Sequence, residues 1–250
     1  MPSKSGMMDK SSPSSFMPSE PSSETVSTLY PSSVSREFIN QLLLGRYEGP
    51  IYMVRTQEEL ALAVEDLSQE SLIGFDTETR PSFQRGTNYP VSLVQMAGCQ
   101  GVYLFHLPHI KDLSPLDRIL GDPNIKKACV AVRDDVRKLQ AYHPFQDAGF
   151  VEIGEAAHRA GITQTGLRSL CAILLGVRIS KSAQVSNWAR LYLSHAQIIY
   201  AATDAWVSRL LYKKLSELPE HCAKPPENAP AQEPQPENPA GSTSTEPQQS

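Results

Sequence analysis

The chain has 250 residues and a formal net charge of −4, a length that allows one large domain or two small ones. Residues 219–250 contain five Glu and one Lys, which account for the whole net charge, so a nucleic-acid site is not excluded, although no basic stripe is visible. No stretch approaches the roughly 18 apolar residues of a membrane span, and no signal or transit peptide pattern is present, so we expect a soluble cytoplasmic protein without membrane contacts.

Both ends of the chain have the composition of disordered segments. Residues 1–35 contain 13 Ser and five Pro, and residues 219–250 contain eight Pro and no aromatic residue. Such segments bury too little apolar surface to order themselves. We therefore expect one globular domain over residues 36–218, between a disordered Ser/Pro-rich arm at 1–35 and a disordered acidic tail at 219–250.

The cysteines do not form a recognisable pattern. Cys99, Cys129, Cys171 and Cys222 are widely spaced, and no two of them form a Cys-x-x-Cys pair. The spacing predicts reduced thiols, and it favours neither a disulfide framework nor a zinc site.

Apolar runs and helical patterns alternate along the central part of the chain. Thr56 followed by Glu59 is a capping box that predicts a helix start, and Gly98 and Gly101 indicate a turn between two β-rich runs. Gly176 and Ser194 mark the end of one helix and the start of the last. The predicted strands are 51–54, 72–76, 91–96, 102–105 and 127–132, and the predicted helices start at 57, at 134, at 167 and after Ser194, the last running to 215. This order predicts an α/β fold with a mixed central sheet flanked by helices.

The segment LIGFDTET, residues 72–79, places two carboxylates at the end of an apolar strand. Asp76 and Glu78 are two residues apart, so in a strand their side chains point to the same face. Like charges so close together require a positive partner. The alternative is that the strand ends at Phe75 and that the two acids lie in a solvated turn.

Two further positions could join these acids. Tyr200 and Asp204, in the segment YAATDAW, are four residues apart and share one face of the last helix. Asp134 and Asp135 follow the run KACVAV at the first turn of a helix. Either could be an N-cap, and one arrangement has Asp134 as the cap while Asp135 points back over the sheet edge.

Together, Asp76, Glu78, Asp135, Tyr200 and Asp204 resemble the three-motif signature of the DEDD superfamily of 3′–5′ exonucleases, in its tyrosine subclass. The segments FDTETRPSFQRG, SLVQMA, VYLFHL and GLRSLCAILLGVRISKSAQVSNWARLYLSHAQIIYAATDA are similar to the exonuclease domain of ribonuclease D and the Werner syndrome helicase. The resemblance covers residues 50–215 and implies a ribonuclease H-like fold. The helical domain that follows in ribonuclease D has no counterpart after Leu218, which argues against a role in tRNA processing.

The resemblance implies a metal-dependent exonuclease that hydrolyses phosphodiesters at 3′ ends with two Mg²⁺ or Mn²⁺ ions, about 3.5–4 Å apart. These hard cations prefer carboxylate ligands. Asp76 would bridge both ions, Glu78 and Asp204 would serve the ion that activates water, and Asp135 would hold the other. Tyr200, with an unperturbed pKa of about 10, would orient the water and would not accept its proton.

The substrate implied is DNA or RNA with a single-stranded 3′ end. Arg80, Arg85, Lys181 and Trp188 lie near the motifs in the sequence and are candidate substrate contacts, although each could equally be a surface cation or, for Trp188, a core aromatic residue. We interpret His195 as a surface residue at the start of the last helix.

Two other functions remain open on the sequence. A non-catalytic nucleic-acid-binding or scaffold module of the same fold would be favoured by loss of an acid, and all four are present. A proofreading subunit of a polymerase would use the arm or the tail for docking. No segment indicates a stable protein partner.

Overall fold

The computed structural model describes residues 30–83 and 88–218 of the chain. Its centre is a six-stranded mixed sheet with helices on both faces, in the strand order β1-β4-β3-β2-β5-β6, which confirms the predicted fold class. The strands are β1 (Ile51–Val54), β2 (Leu72–Thr79), β3 (Val91–Ala97), β4 (Val102–His106), β5 (Lys126–Cys129) and β6 (Phe150–Glu152). The helices are α1 (Arg36–Gln41), α2 (Gln57–Leu67), α3 (Asp117–Leu120), α4 (Val132–Tyr142), α5 (Ile153–Arg159), α6 (Leu167–Leu170) and α7 (His195–Ser216).

The strand directions bring several strand ends to one edge of the sheet. β2, β5 and β6 are mutually parallel, whereas β3 is antiparallel to both β2 and β4. The carboxyl ends of β2, β5 and β6 therefore lie at the same edge, where α4 and α5 begin. The pairing of β2 with β3 shifts register between Glu78 and Thr79, and such bulges redirect side chains at the end of a strand.

Each face of the sheet buries a separate set of apolar side chains. On one face, Leu60 and Leu67 of α2 pack with Ile73 and Phe75 of β2. On the other face, α7 packs its small residues, such as Ala201 and Ala205, against β3 and β4. Ile73, Phe75 and Thr77 of β2 share one face. Because side chains alternate along a strand, Gly74 and Asp76 lie on the opposite face, towards α7.

Glycine at position 74 allows α7 to lie directly on β2. A Cβ atom built on Gly74 would be 1.8 Å from the carbonyl oxygen of Ala205 and 2.8 Å from the amide nitrogen of Arg209. No side chain fits in that space, so the two backbones are in contact. Arg209 then donates a hydrogen bond from Nε to the carbonyl oxygen of Leu72, at 3.0 Å, and holds the register of the helix along the strand.

The cap predictions are confirmed at both helices that carry a capping box. Thr56 and Glu59 cap α2 reciprocally, and Ser194 and Gln197 do the same for α7. Gln197 also donates hydrogen bonds to the hydroxyl of Ser186 and to the carbonyl of residue 187, at 3.0 and 3.2 Å. The start of α7 is therefore fixed to the preceding loop.

Two predicted elements differ from the structure. The run 127–132 is not one strand: β5 ends at Cys129 and α4 already begins at Val132, because Ala131 adopts a left-handed conformation (φ 58°) that turns the chain sharply. The predicted helix from 167 becomes α6 followed by a π-helical turn over Cys171–Leu175, which ends at left-handed Gly176. The sequence analysis did not predict α1, α3, β6 or α5.

The described chain begins before the predicted domain boundary at residue 36. Ser32 accepts a hydrogen bond from the amide of Thr163 at 2.8 Å, and the amide of Val34 donates to Oε1 of Gln164 at 3.1 Å. The packed region therefore starts at least as early as Tyr30. The rest of the predicted arm, residues 1–29, and the predicted tail, residues 219–250, lie outside the described residues.

Three of the four cysteines fall within the part of the chain that the structure describes, and all three are free: Cys99 is exposed, and Cys129 and Cys171 are buried. Cys222 lies outside it. Over the same described residues, no helix combines the length and the apolar composition that crossing a bilayer requires.

Replacing Gly74 tests the contact between α7 and β2. Gly74→Ala should lower the free energy of unfolding by about 1–3 kcal/mol, because the added methyl group overpacks a backbone contact. Gly166→Ala is the matched control, since Gly166 has an ordinary φ of −70° and a Cβ atom there meets no atom within 4 Å. Urea denaturation of both variants measures the difference, and equal stability of the two would contradict the contact.

Candidate active site

Three carboxylates meet where β2 lies under α7. One oxygen from each of Asp76, Glu78 and Asp204 can be chosen so that all three oxygens lie within 4.8 Å of one another. Asp76 and Glu78 belong to β2, and they share with Gly74 the face that contacts α7. Asp204 immediately precedes Ala205, whose carbonyl contacts Gly74. The strand interpretation of LIGFDTET is thus confirmed, and the solvated-turn alternative is wrong.

Asp135 is the fourth acid of this group. It lies in the first turn of α4, and its negative charge raises the pKa of both Asp76 and Glu78. The start of α4 is held by Glu152, whose carboxylate accepts hydrogen bonds from the amides of Val132 and Gly154, both at 3.0 Å. One side chain therefore fixes the turns that follow β5 and β6, and with them the position of Asp135.

The two neighbouring acids, Asp134 and Asp135, have different environments. The side chain of Asp134 is 72% exposed and pairs with Arg137, whereas that of Asp135 is 25% exposed. Asp134 is not the N-cap of α4, because the helix starts two residues earlier, at Val132, with Ala131 as a cap that makes no side-chain hydrogen bond. The prediction of Asp134 as a cap is therefore wrong, and the inward position of Asp135 is supported.

Burial and mutual repulsion change the acidity of the whole group. Burial, with Asp204 and Asp135 nearby, raises the pKa of Asp76 well above its usual value, and burial together with the other acids raises the pKa of Glu78 to about 10. Burial also raises the pKa of Asp204 to about 7, against the opposing effect of a hydrogen bond with Tyr200. Without a positive partner, these side chains resist ionisation at neutral pH.

Tyr200 is adjacent to the acids and remains protonated. It lies one helical turn before Asp204 on α7 and is 9% exposed, with its ring 5.9 Å from that of Trp188. Burial and the charge of Asp204 raise the pKa of the Tyr200 hydroxyl above its usual value. The hydroxyl therefore keeps its proton at neutral pH and is available as a hydrogen-bond donor.

The carboxylate group fits divalent cations. Its oxygens are hard ligands, and those of Asp76, Glu78 and Asp204 lie close enough to share an ion. A nearby dication would offset the repulsion and burial that raise the pKa values of these acids.

Three of the acids, Asp76, Glu78 and Asp204, line a cleft of about 780 Å³, which we call the acid cleft. Its lining also includes Tyr200 and three cations, Arg36, Arg168 and Lys181. Clefts of this volume hold nucleotide-sized ligands. The sequence analysis did not predict Arg36, Arg168 or the anchoring role of Glu152, because only the folded chain brings them to the site.

The candidate substrate contacts have different positions. Lys181 is exposed and lines the acid cleft, while Arg80 is exposed and its guanidinium lies 4.7 Å from the ring centroid of Tyr89. Trp188 is completely buried, which agrees with the core alternative and excludes a stacking role at the surface. Arg85 lies outside the described residues. His195 is the exposed first residue of α7, as predicted.

Comparison with known proteins identifies related chains. Residues 51–219 match the model of a protein family described as 3′–5′ exonuclease. The chain is 35% identical over 170 residues to ribonuclease D of Gluconacetobacter diazotrophicus, an alignment that covers 66% of this chain and 42% of the relative. It is 32% identical over 158 residues to the bifunctional 3′–5′ exonuclease/ATP-dependent helicase WRN of Mus musculus, covering 61% of this chain and 11% of that protein.

Among solved structures, ribonuclease D of Escherichia coli, described as an exoribonuclease involved in structured RNA processing, superposes with a TM-score of 0.61 at 25% identity. The superposition covers 69% of this chain and 48% of the other. The chain thus spans less than half the length of these relatives.

If the acids form a cation site, Mn²⁺ should raise the melting temperature of the protein at pH 7, because binding to the native state adds about 2.7 kcal/mol of stability when the free ion exceeds its Kd 100-fold. Asp76→Ala should lose this shift, although its metal-free form should melt no lower than wild type, since a buried repulsion is removed. Asp134→Ala is the matched control and should keep the shift. Differential scanning calorimetry measures the melting temperature of all three proteins with and without Mn²⁺. A shift in Asp76→Ala equal to that of wild type would show that the ion binds elsewhere.

Proposed function

This chain belongs to the 3′–5′ exonuclease family, and we propose that it removes nucleotides one at a time from the 3′ ends of DNA or RNA with the help of two Mg²⁺ or Mn²⁺ ions. The observation that carries the proposal is the convergence of Asp76, Glu78 and Asp204 beside Tyr200 in one cleft. These are residues that the sequence motifs identify, and they come from β2 and α7.

The acids have separate tasks in this proposal. Asp76 interacts electrostatically with both Asp204 and Asp135, and in this proposal it would contact both ions. Glu78 and Asp204 would complete the first ion site and Asp135 the second. Bound ions supply a nucleophilic water and stabilise the leaving 3′ oxygen, so the chain itself need not provide a strong base.

Tyr200 would position the attacking water. Its hydroxyl interacts with Asp204, and the packing of its ring against Trp188 fixes its direction. The raised pKa of this hydroxyl supports donation of a hydrogen bond and argues against removal of a proton. Positioned donors of this kind contribute to catalysis because they require no reorganisation during the reaction.

The substrate is a nucleic-acid strand with a free 3′ end. A cleft of about 780 Å³ has room for the terminal nucleotide of a single strand. The cations Lys181 and Arg168 line it, and Arg80 is exposed beyond Glu78, which supports electrostatic contacts with the backbone. Both DNA and RNA are compatible with this arrangement.

A non-catalytic module of the same fold is the weaker alternative. A binding module has no use for four clustered carboxylates that repel one another, because they destabilise the fold and repel phosphates. Their retention, together with a correctly placed Tyr200, supports catalysis.

Digestion of 5′-labelled single-stranded DNA and RNA oligonucleotides tests the proposal. With Mg²⁺ or Mn²⁺ present, wild type should produce a ladder shortened from the 3′ end and release 5′-mononucleotides. Asp135→Asn should lower the rate by roughly 10²-fold or more, as loss of a group that stabilises transition-state charge does. Asp134→Asn should retain the rate and cost less than about 1 kcal/mol of stability, because its ion pair is exposed.

A wild-type protein that leaves both labelled substrates intact with either ion would contradict the exonuclease proposal. A reversed pattern, with Asp134→Asn inactive and Asp135→Asn active, would show that the second ion is held by the neighbouring residue.

Tyr200→Phe tests the positioning role. The substitution removes one oxygen and keeps the ring, so kcat should fall by roughly 10²-fold while KM and the Mn²⁺ dependence stay nearly unchanged. Asp204→Ala is the contrasting variant, and it should weaken Mn²⁺ binding, so that a higher Mn²⁺ concentration is needed for half-maximal activity. Steady-state kinetics over a Mn²⁺ titration measures both effects, and wild-type turnover in Tyr200→Phe at saturating Mn²⁺ would exclude the positioning role.

A further inference from the structure

One wall of the acid cleft is formed by a segment that precedes the family-matched region. The match covers residues 51–219, whereas Arg36 and Ile39, which line the cleft, belong to α1. We call residues 30–47 the strap. Because the strap is not part of the matched region, it can give this chain substrate contacts of its own.

The strap is attached to the domain along its whole length. Near its start, Ser32 and Val34 are hydrogen-bonded to Thr163 and Gln164, at 2.8 and 3.1 Å. Further along, the amide of Arg178 donates to the carbonyl of residue 43 at 3.0 Å, and the amide of residue 45 donates back to the carbonyl of Arg178 at 2.8 Å. These contacts lie on the segment that follows α5, on both sides of α6 and the π-helical turn.

The end of the strap is attached to α7, beside the catalytic residues. The amide of Tyr47 donates to the hydroxyl of Thr203 at 3.0 Å, and Thr203 is the immediate neighbour of Asp204. The ring of Tyr47 also packs against Trp206, with centroids 5.7 Å apart. The strap is thus fixed relative to the acids, and its residues have defined positions in the cleft.

Within the strap, α1 presents one apolar and one cationic side chain to the cleft. Ile39 is 7% exposed and anchors the short helix, whose start is capped by Ser35. Arg36, at the first position of α1, is exposed and lines the cleft. Among the described residues, no carboxylate lies within ion-pairing distance of its guanidinium, in contrast to Arg46 on the same strap, which pairs with Glu48 at 3.0 Å.

The charges around the cleft indicate a role for Arg36 in binding phosphate. Four carboxylates and two divalent ions neutralise one another, so the phosphates of an entering strand need further cations. Arg168 is partly engaged, because its Nη2 donates to Oδ1 of Asn40 at 2.7 Å. Within residues 30–83 and 88–218 the Arg36 guanidinium makes no such side-chain hydrogen bond, and its planar set of donors suits a phosphate.

We propose that Arg36 binds the phosphate on the 5′ side of the scissile one and thereby makes the strap a substrate-positioning element of this exonuclease. The proposal rests on the proposed function. The scissile phosphate would lie at the acids, and the remaining strand extends from it in the 5′ direction, so Arg36, a cation in the lining of the same cleft, is assigned to the next phosphate. A substrate with only one phosphate then makes no contact with Arg36.

Comparing two substrates in Arg36→Ala distinguishes a contact with the scissile phosphate from a contact with the next phosphate. Arg36→Ala should raise KM for a single-stranded oligonucleotide of ten nucleotides by roughly 10-fold, and it should reduce the magnitude of the salt slope of log(kcat/KM) by about one unit, the value expected for one lost phosphate contact. Hydrolysis of the p-nitrophenyl ester of thymidine 5′-monophosphate, which has only the scissile phosphate, should stay unchanged. Arg36→Lys should recover part of the loss.

Two control variants make the result specific. Phe38→Ala changes the exposed side of α1, where Phe38 is 45% exposed, and Lys213→Ala removes an exposed cation near the far end of α7. Both should behave as wild type with both substrates. An active wild type with an unchanged KM in Arg36→Ala would overturn this proposal alone, and an equal loss with both substrates would assign Arg36 to the scissile phosphate. A wild type that cleaves neither substrate would instead overturn the proposed function.

Discussion

The contact between the backbone of α7 and the backbone of β2 sets the geometry of the site. Because residue 74 has no side chain, the carbonyl of Ala205 lies where a Cβ atom would otherwise be. Asp204 precedes Ala205, and Asp76 follows two residues after Gly74 on the same face of the strand. A larger residue at position 74 would move the helix outwards, and the carboxylates would separate. The remaining features of the site depend on this distance.

Close approach of the acids also has a cost for the fold. Burial raises the pKa values of Asp76, Glu78 and Asp204, and repulsion between the acids adds to the effect at Asp76 and Glu78, so ionising the group in the metal-free protein costs free energy. The surrounding structure compensates with interactions that fix the acids from outside. Glu152 holds the start of α4, and Arg209 holds α7 on β2. A rigid frame of this kind keeps the acids ready for cations.

Local signals predicted much of the fold because their physics is local. Both capping boxes were readable, since Thr56 and Ser194 satisfy amides three residues away. The start of α4 could not be predicted from the sequence, because Ala131 adopts a left-handed conformation that alanine disfavours. β6 was missed as well, since its three residues become a strand only by pairing with β5.

The sequence by itself indicated which side chains form the acidic group. The spacing of Asp76 and Glu78 in a strand, and of Tyr200 and Asp204 in a helix, follows from the two backbone periodicities. Only the tertiary structure excluded Asp134 as the cap of α4, placed Trp188 in the core and brought Arg36 to the cleft. Those outcomes depend on how distant segments pack, and the spacing of residues along a chain contains no information about that packing.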